Sequence, residues 1–350
     1  MPTHSADKLE AIAAALLEAA GASRHEADVV ARHCIGANLA GHDSHGVIRI
    51  PAYIERVRNE HIVPGARFEI VQESPTTTVI DGNWGFGFVV SERAMEITIE
   101  KARISNVAAA TVYRQGHVGR VADYPLMAAE AGMISMMTAD SGRSPKSVAP
   151  FGGRVARLGT NPICMAMPSD LEAPFFLDMA TCAAAAGKLE LAVSRGESVP
   201  EGWLIDADGA STTDPKALKA GGAILPLGGS EGYKGYGLAA MVEILSGLLT
   251  GLGFGVEPSG RHNDGCFMAV FNVAAFRPLD EFRRDVTEFA EYLKATPRAE
   301  SVEEIYYPGE IEHRRATARR EDGIFVEDAT CERLESLAEE FGLTDKLAMG

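Results

Sequence analysis

Between His42 and Arg49 the chain reads HDSHGVIR, two histidines, an aspartate, a serine and an arginine within eight positions. An imidazole titrates near neutrality, so His45 can exchange a proton with a carbonyl or hydroxyl, while the guanidinium of Arg49 can hold a carboxylate at two points. That pairing suits a small oxyacid. If the segment from Ser44 is helical, His45, Arg49 and Tyr53 fall at i, i+4 and i+8 on one face. Ser44 then caps the start and can orient His45, and Arg49 and Tyr53 become the substrate-side residues. Pro51 predicts a break or bend at residues 47–51. Two rival readings stay open: a metal site of His42, Asp43 and His45 serving a lyase or hydrolase, and an ordinary polar turn. Three ligands crowded into four residues seldom converge on one ion.

Further candidates lie downstream. His117, between glycines in RQGHVGRVADYP (114–125), is a second proton-transfer group or a histidine that merely bonds a turn. Asp178 ends the apolar run FFLD, where a carboxylate needs an imidazole or an N–H, unless it caps a helix. In GGSEGYKGYG (228–237), glycines and Lys234 ahead of a helix can hold an anion such as phosphate or form a surface turn. Arg143 and Lys146 can meet a 2′-phosphate or serve as loop charges. Cys182, among alanines, reads as a small buried thiol. The glycines of DGNWGFGFVV (81–90) approach a dinucleotide fingerprint, but its third glycine falls at Val90. The usual pyrophosphate turn is therefore not expected there.

The elements that must position these groups are an α/β set. Leu9, Ile12, Ala13 and Leu16 follow helical spacing, and Ser23 to Glu26 forms a capping box before a second helix. From about residue 70, strands alternate with helices: strands at 78–81, 107–113, 133–139, 175–181 and 266–271, helices at 89–102, 183–194, 235–247 and 279–295, and a closing helix at 328–341. The helical ends, 1–70 with 312–350, are expected to pack as one unit against an α/β body of 71–311. A net charge of −16 disfavours nucleic acid and anionic membrane as partners. The basic run His313–Arg320 reads as a solvated helix face or an anion patch. Five cysteines without a CxxC pair fit a reducing cytoplasm. The N-terminus lacks the order of a signal peptide, and no apolar run approaches the roughly 20 residues that span a bilayer.

Taken together, DSHGVIRIPAY (43–53), His117 with Gly119, APFGG (149–153), LGTNP (158–162), LDMAT (177–181), PEGW with TTDP (200–215), KGYGL (234–238) and YYPGE (306–310) resemble the type-2 malate/L-lactate dehydrogenase family over nearly the whole chain. The resemblance implies a dedicated, non-Rossmann NAD(P)-binding fold with a mixed sheet, a homodimer, and an oxidoreductase that interconverts a small 2-hydroxy acid and its 2-oxo acid with NAD or NADP. It implies His45 as the general acid/base with Ser44 and Asp178 as relay partners, His117 as the alternative proton acceptor, and Arg49 as the carboxylate arginine. It implies cofactor contacts at Ser141, Thr160, Asn161, Asp178, Met179, Ala180, Thr181, Lys234, Gly309 and Glu310. A branch of the family reduces cyclic ketimines; those members typically carry His-His-Phe where this chain has His117, Val118 and Gly119. The chain also departs from the pattern at Cys182, where a serine or threonine is common.

Overall fold

The structure, a computed structural model, describes residues 3–140, 146–256 and 261–344. After a short strand β1 (Thr3–His4), the chain forms α1 (Ala6–Ala19), α2 (Arg24–Leu39) and α3 (Ile50–Arg58). Ser5 and Ser23 cap the first two, and the reciprocal Ser23–Glu26 box is complete. The body follows as β2 (Glu69–Glu73), β3 (Thr77–Gly85), α4 (Gly87–Ser105), β4 (Val107–Gln115), α5 (Asp123–Glu130), β5 (Met133–Asp140), β6 (Ile163–Met167) and β7 (Phe175–Met179). An insertion carries α6 (Ala186–Arg195) and the small strands β8 (Leu204–Ile205), β9 (Ser211–Thr212) and β10 (Ala223–Ile224). Then come α7 (Tyr233–Glu243), β11 (Gly265–Asn272), α8 (Leu279–Lys294), α9 (Glu310–Asp322), β12 (Ile324–Phe325) and α10 (Asp328–Glu340).

The principal sheet has seven strands in the order β2-β3-β4-β11-β5-β6-β7. Only β3 and β4 run parallel; every other neighbouring pair is antiparallel. Strand β4 alternates as a half-buried strand must, with Ala108, Ala110 and Val112 turned to the core. They pack with Met95 and Ile99 of α4, Tyr124 of α5 and Met268 and Val270 of β11. A second core joins α1, α2 and α3 to Ile324 and Leu334 near the C-terminus and takes in Phe86 and Phe88, where β3 gives way to α4. The insertion contributes Cys182, Leu189, Leu204 and Ile224 to a third core, completed by Val148 and Leu158 from the connection between β5 and β6.

The glycines of DGNWGFG serve packing. A Cβ on Gly87 would stand 2.2 Å from the Gly116 carbonyl oxygen and 2.6 Å from that of His117. Their absence of side chains thus lets the start of α4 touch the turn that carries His117. The basic run on α9 is neither a solvated face nor an anion patch throughout. Arg314 pairs with Glu304 and Glu310, and Arg319 clamps both oxygens of Asp43 at 2.7 and 3.0 Å.

Candidate active site

The segment from Ser44 is not one helix. Residues Asp43–His45 and Val47–Arg49 form two single 3-10 turns divided at Gly46, and Pro51 sits in the first turn of α3, where no intrahelical N–H is needed. Asn38, near the end of α2, organises the turns: its Oδ1 accepts from the Val47 N–H at 2.8 Å and its Nδ2 donates to Asp43 Oδ1 at 2.7 Å. A Cβ on Gly46 would lie 2.2 Å from Asn38 Oδ1, so only glycine leaves room for this bracket. Asp43 is thereby committed to Asn38 and Arg319, which removes it from a metal set with His42 and His45. Among the described residues no three histidine, cysteine or acidic groups stand together as a metal-holding cluster.

Breaking the helix changes what the side chains reach. Ser44 Oγ does not cap; it lies 3.0 Å from His45 Nδ1, and the Ser44 carbonyl accepts from Arg49 Nε at 2.6 Å. Tyr53 is 1% exposed and its hydroxyl lies 2.7 Å from His117 Nδ1. Its hydroxyl is thus engaged with the His117 ring. The rings of His45 and His117 stack, with centroids 5.6 Å apart and 24° between planes. Two catalytic candidates separated by 72 positions thus meet, because α3 is pinned to the β4 end by Tyr53 and Phe88, whose rings pack edge to face at 5.6 Å. Gly187 of α6 closes the remaining side: a Cβ there would be 2.5 Å from Ser44 Cβ.

A third histidine, absent from the sequence-based candidates, completes the group. His262 packs edge-on to His117 at 5.5 Å, and its Nε2 lies 2.7 Å from Asp264 Oδ1. The other oxygen of Asp264 accepts from the Val118 N–H at 3.0 Å. The only sequence signal was His-Asn-Asp ahead of a strand; its relevance depends on β11 lying beside β4.

Burial dominates the electrostatics. Desolvation lowers His45 to about 4, with the Arg49 cation the next cause, against the opposing pull of Asp123 and Asp264. His117 is pushed well below the usual imidazole value, again by burial first, with Asp264 opposing. His42 falls to about 4 through burial and then Arg120. All three are neutral at pH 7. Asp178 moves the other way, up to about 6 by burial, restrained by Arg120 and by the Ala122 N–H that donates to it at 2.9 Å. Among the described residues it makes no hydrogen bond to His45.

The expected cofactor residues divide into groups. Thr181 Oγ1 donates to the carbonyls of Thr160 (3.2 Å) and Asn161 (3.0 Å), tying the chain just past β7 to the loop that precedes β6. Asn161, at φ 42° and 1% exposed, donates through Nδ2 to Ala239 O and Glu243 Oε2, both at 2.9 Å. Its Oδ1 is buried without a partner among the described residues, an acceptor awaiting an N–H. Met179 pairs with Ile163 across β6, and Ala180 packs on the insertion core. Lys234 is exposed and pairs with Glu231 at 3.0 Å. Gly309 at φ 96° allows contact with the Pro174 carbonyl, and Glu310 is 5% exposed, held by Lys294, Arg314 and the Tyr307 N–H. Those two open α9. Lys146 is buried against Glu243 at 3.1 Å. Ser141 and Arg143 lie outside the described residues. Cys182 donates to Ala184 O at 3.1 Å, and burial raises its thiol to about 11, as a small packed thiol requires.

A sequence model of malate/L-lactate dehydrogenase matches residues 4–335. A malate dehydrogenase of Pyrococcus abyssi is 36% identical over 346 residues, 96% of this chain and 94% of its own. An L-sulfolactate dehydrogenase of Methanothermobacter thermautotrophicus is 38% identical over 335 residues, 94% of each chain. Among solved structures, malate dehydrogenase from Entamoeba histolytica superposes with a TM-score of 0.93 at 32% identity, covering 97% of this chain and 98% of that one.

Proposed function

The chain belongs to the malate/L-lactate dehydrogenase family, and from that premise we propose how its residues divide the work. It is an oxidoreductase that interconverts a small 2-hydroxy acid and its 2-oxo acid with a nicotinamide cofactor. The observation that carries the site assignment is the stacked pair His45 and His117 beside Arg49. When bound, the nicotinamide supplies or removes the hydride at C2.

Arg49, held at Nε by the Ser44 carbonyl, binds the substrate carboxylate through its terminal N–H groups. A carboxylate arriving there cancels the cation that is the second cause lowering His45. The bound oxo acid therefore raises the proton affinity of His45, which donates through Nε2 to the substrate oxygen as it is reduced. In the oxidation direction neutral His45 takes that proton back. His117, fixed by Tyr53, is the second proton-holding group. The unpartnered Asn161 Oδ1 suits the amide of a nicotinamide, with Thr160, Met179, Ala180 and Thr181 beside it and Lys234 available to a phosphate. Two features favour a cofactor site other than the parallel-sheet turn: the single parallel strand pair, and Val90, 5% exposed, where a third glycine would be needed.

We read residues 1–70 with 312–350 as the unit that presents Arg49, supported by the core they share. A homodimer is supported by the exposed apolar stripe Met241, Ile244 and Leu248, and is checked by light scattering. The five free, buried cysteines favour the cytoplasm. The activity is tested by loss of NADH or NADPH absorbance on adding 2-oxo acids or cyclic imines, with and without a chelator. His45→Ala should lower kcat by roughly 10²- to 10⁴-fold while cofactor fluorescence titrations stay unchanged. Full turnover by that variant with cofactor bound overturns the assignment.

A further inference from the structure

We propose that Arg120 reads the far end of the substrate and selects a 2-hydroxy acid bearing a second oxyanion, carboxylate or sulfonate, over one ending in a methyl group. This rests on the dehydrogenase reading above and adds a specificity-determining residue to it.

Arg120 leaves the same turn as His117, three residues on, and the next N–H but one, that of Ala122, holds Asp178. Its side chain is 9% exposed, with Nη1 donating to Asp123 Oδ1 at 3.1 Å and the guanidinium over the Phe176 ring at 5.4 Å. Asp123 is itself fixed from behind by His33 Nδ1 at 3.0 Å. So the guanidinium is anchored on one edge only. Its Nε is buried and has no partner among the described residues, and the same is true of Nε2 of His42, in the turn before His45. Arg120 is the charge that acts most strongly on His42, and both Arg49 and Arg120 act on His45. Both guanidiniums are thus close enough to act on the His45 imidazole, and the reading above commits that of Arg49 to the C1 carboxylate. The Asp178 carboxyl also feels the Arg120 charge; its Oδ2 accepts from the Ala122 N–H, and no hydrogen bond joins it to the guanidinium among the described residues. An unmet N–H on a buried guanidinium calls for an acceptor. A second carboxylate or sulfonate supplies one; a methyl does not.

The test compares oxaloacetate, sulfopyruvate and pyruvate as substrates for the wild type, Arg120→Gln and Arg120→Lys. The wild type should favour one or both dianions over pyruvate by at least roughly tenfold in kcat/KM. Arg120→Gln should lower kcat/KM for the favoured dianion by roughly 10- to 100-fold and for pyruvate by less than about threefold, with Lys between. Pyruvate used as well as both dianions, or a parallel loss of all three in Arg120→Gln, overturns the inference. Should the variants fail to fold, inhibition of the wild type decides: malonate binding about tenfold more tightly than acetate supports it, and equal binding refutes it. A wild type that turns over none of these acids with NADH or NADPH refutes the dehydrogenase reading itself, an outcome distinct from a loss of selectivity.

Discussion

Replacing Asp178 by Asn should stabilise the protein, and by an amount that depends on pH in a definite way. Burial raises the Asp178 carboxyl from its ordinary 3.8 to about 6. At 1.36 kcal/mol per pKa unit, holding it ionised costs the fold about 3 kcal/mol. Because the folded value lies above the unfolded one, the native state binds the proton more tightly; this group's stabilising effect is complete below pH 3.8 and lost as pH rises through 6. Asn cannot ionise, yet its carbonyl can still accept from the Ala122 N–H. Integrating the linkage, the advantage of Asn over Asp should be about 0.5 kcal/mol at pH 4, about 1.5 at pH 5 and about 3 by pH 7. Urea unfolding of both proteins at one concentration across that range reads the difference directly. The three neutral histidines lose stability as pH falls, but Asp178 is not among the principal groups shifting them, so their effect cancels between the two proteins. A difference that does not vary with pH, or an Asn variant less stable at pH 7, would refute the account of Asp178 as a desolvated carboxylate.

Other expectations concern the histidines. For oxidation of the hydroxy acid, which needs neutral His45, kcat/KM should stay level from pH 8 down to about 5 and decline with an apparent pKa near 4; a midpoint at the ordinary 6.5 would contradict the burial argument. Tyr53→Phe removes the hydroxyl 2.7 Å from His117 Nδ1. It should cost about 1 kcal/mol in stability, lower kcat more than it raises KM, and shift the acid limb of the pH profile; an unchanged pH profile would make Tyr53 a packing residue alone.

Much of the local structure was legible in the chain. The Ser23–Glu26 capping box, the strands at 107–113 and 266–271 and the closing helix all rest on near-neighbour hydrogen bonds and periodic burial, which a sequence encodes directly. The interest of His45 and Arg49 was also legible, because both fall in one short stretch. The face they were expected to share was not, since Asn38 and Gly46 replace the helix with two turns. Strand β6 and the small sheet of β8, β9 and β10 went unread: two or five residues give too short a period to count.

What the tertiary structure alone decided is who meets whom. The insertion of β11 between β4 and β5 brings His262 and Asp264 to His117, across about 145 residues of chain. Tyr53 turned inward to His117, Asp43 went to Arg319, and Glu310 to Lys294 and Arg314, while His42, Arg120 and Asn161 each keep a buried polar atom without a partner among the described residues. Composition and spacing name which side chains can carry protons and charge. Only the packed chain determines which of them are already spent on the fold, because that balance is struck between residues far apart in sequence whose desolvation must be repaid by a partner.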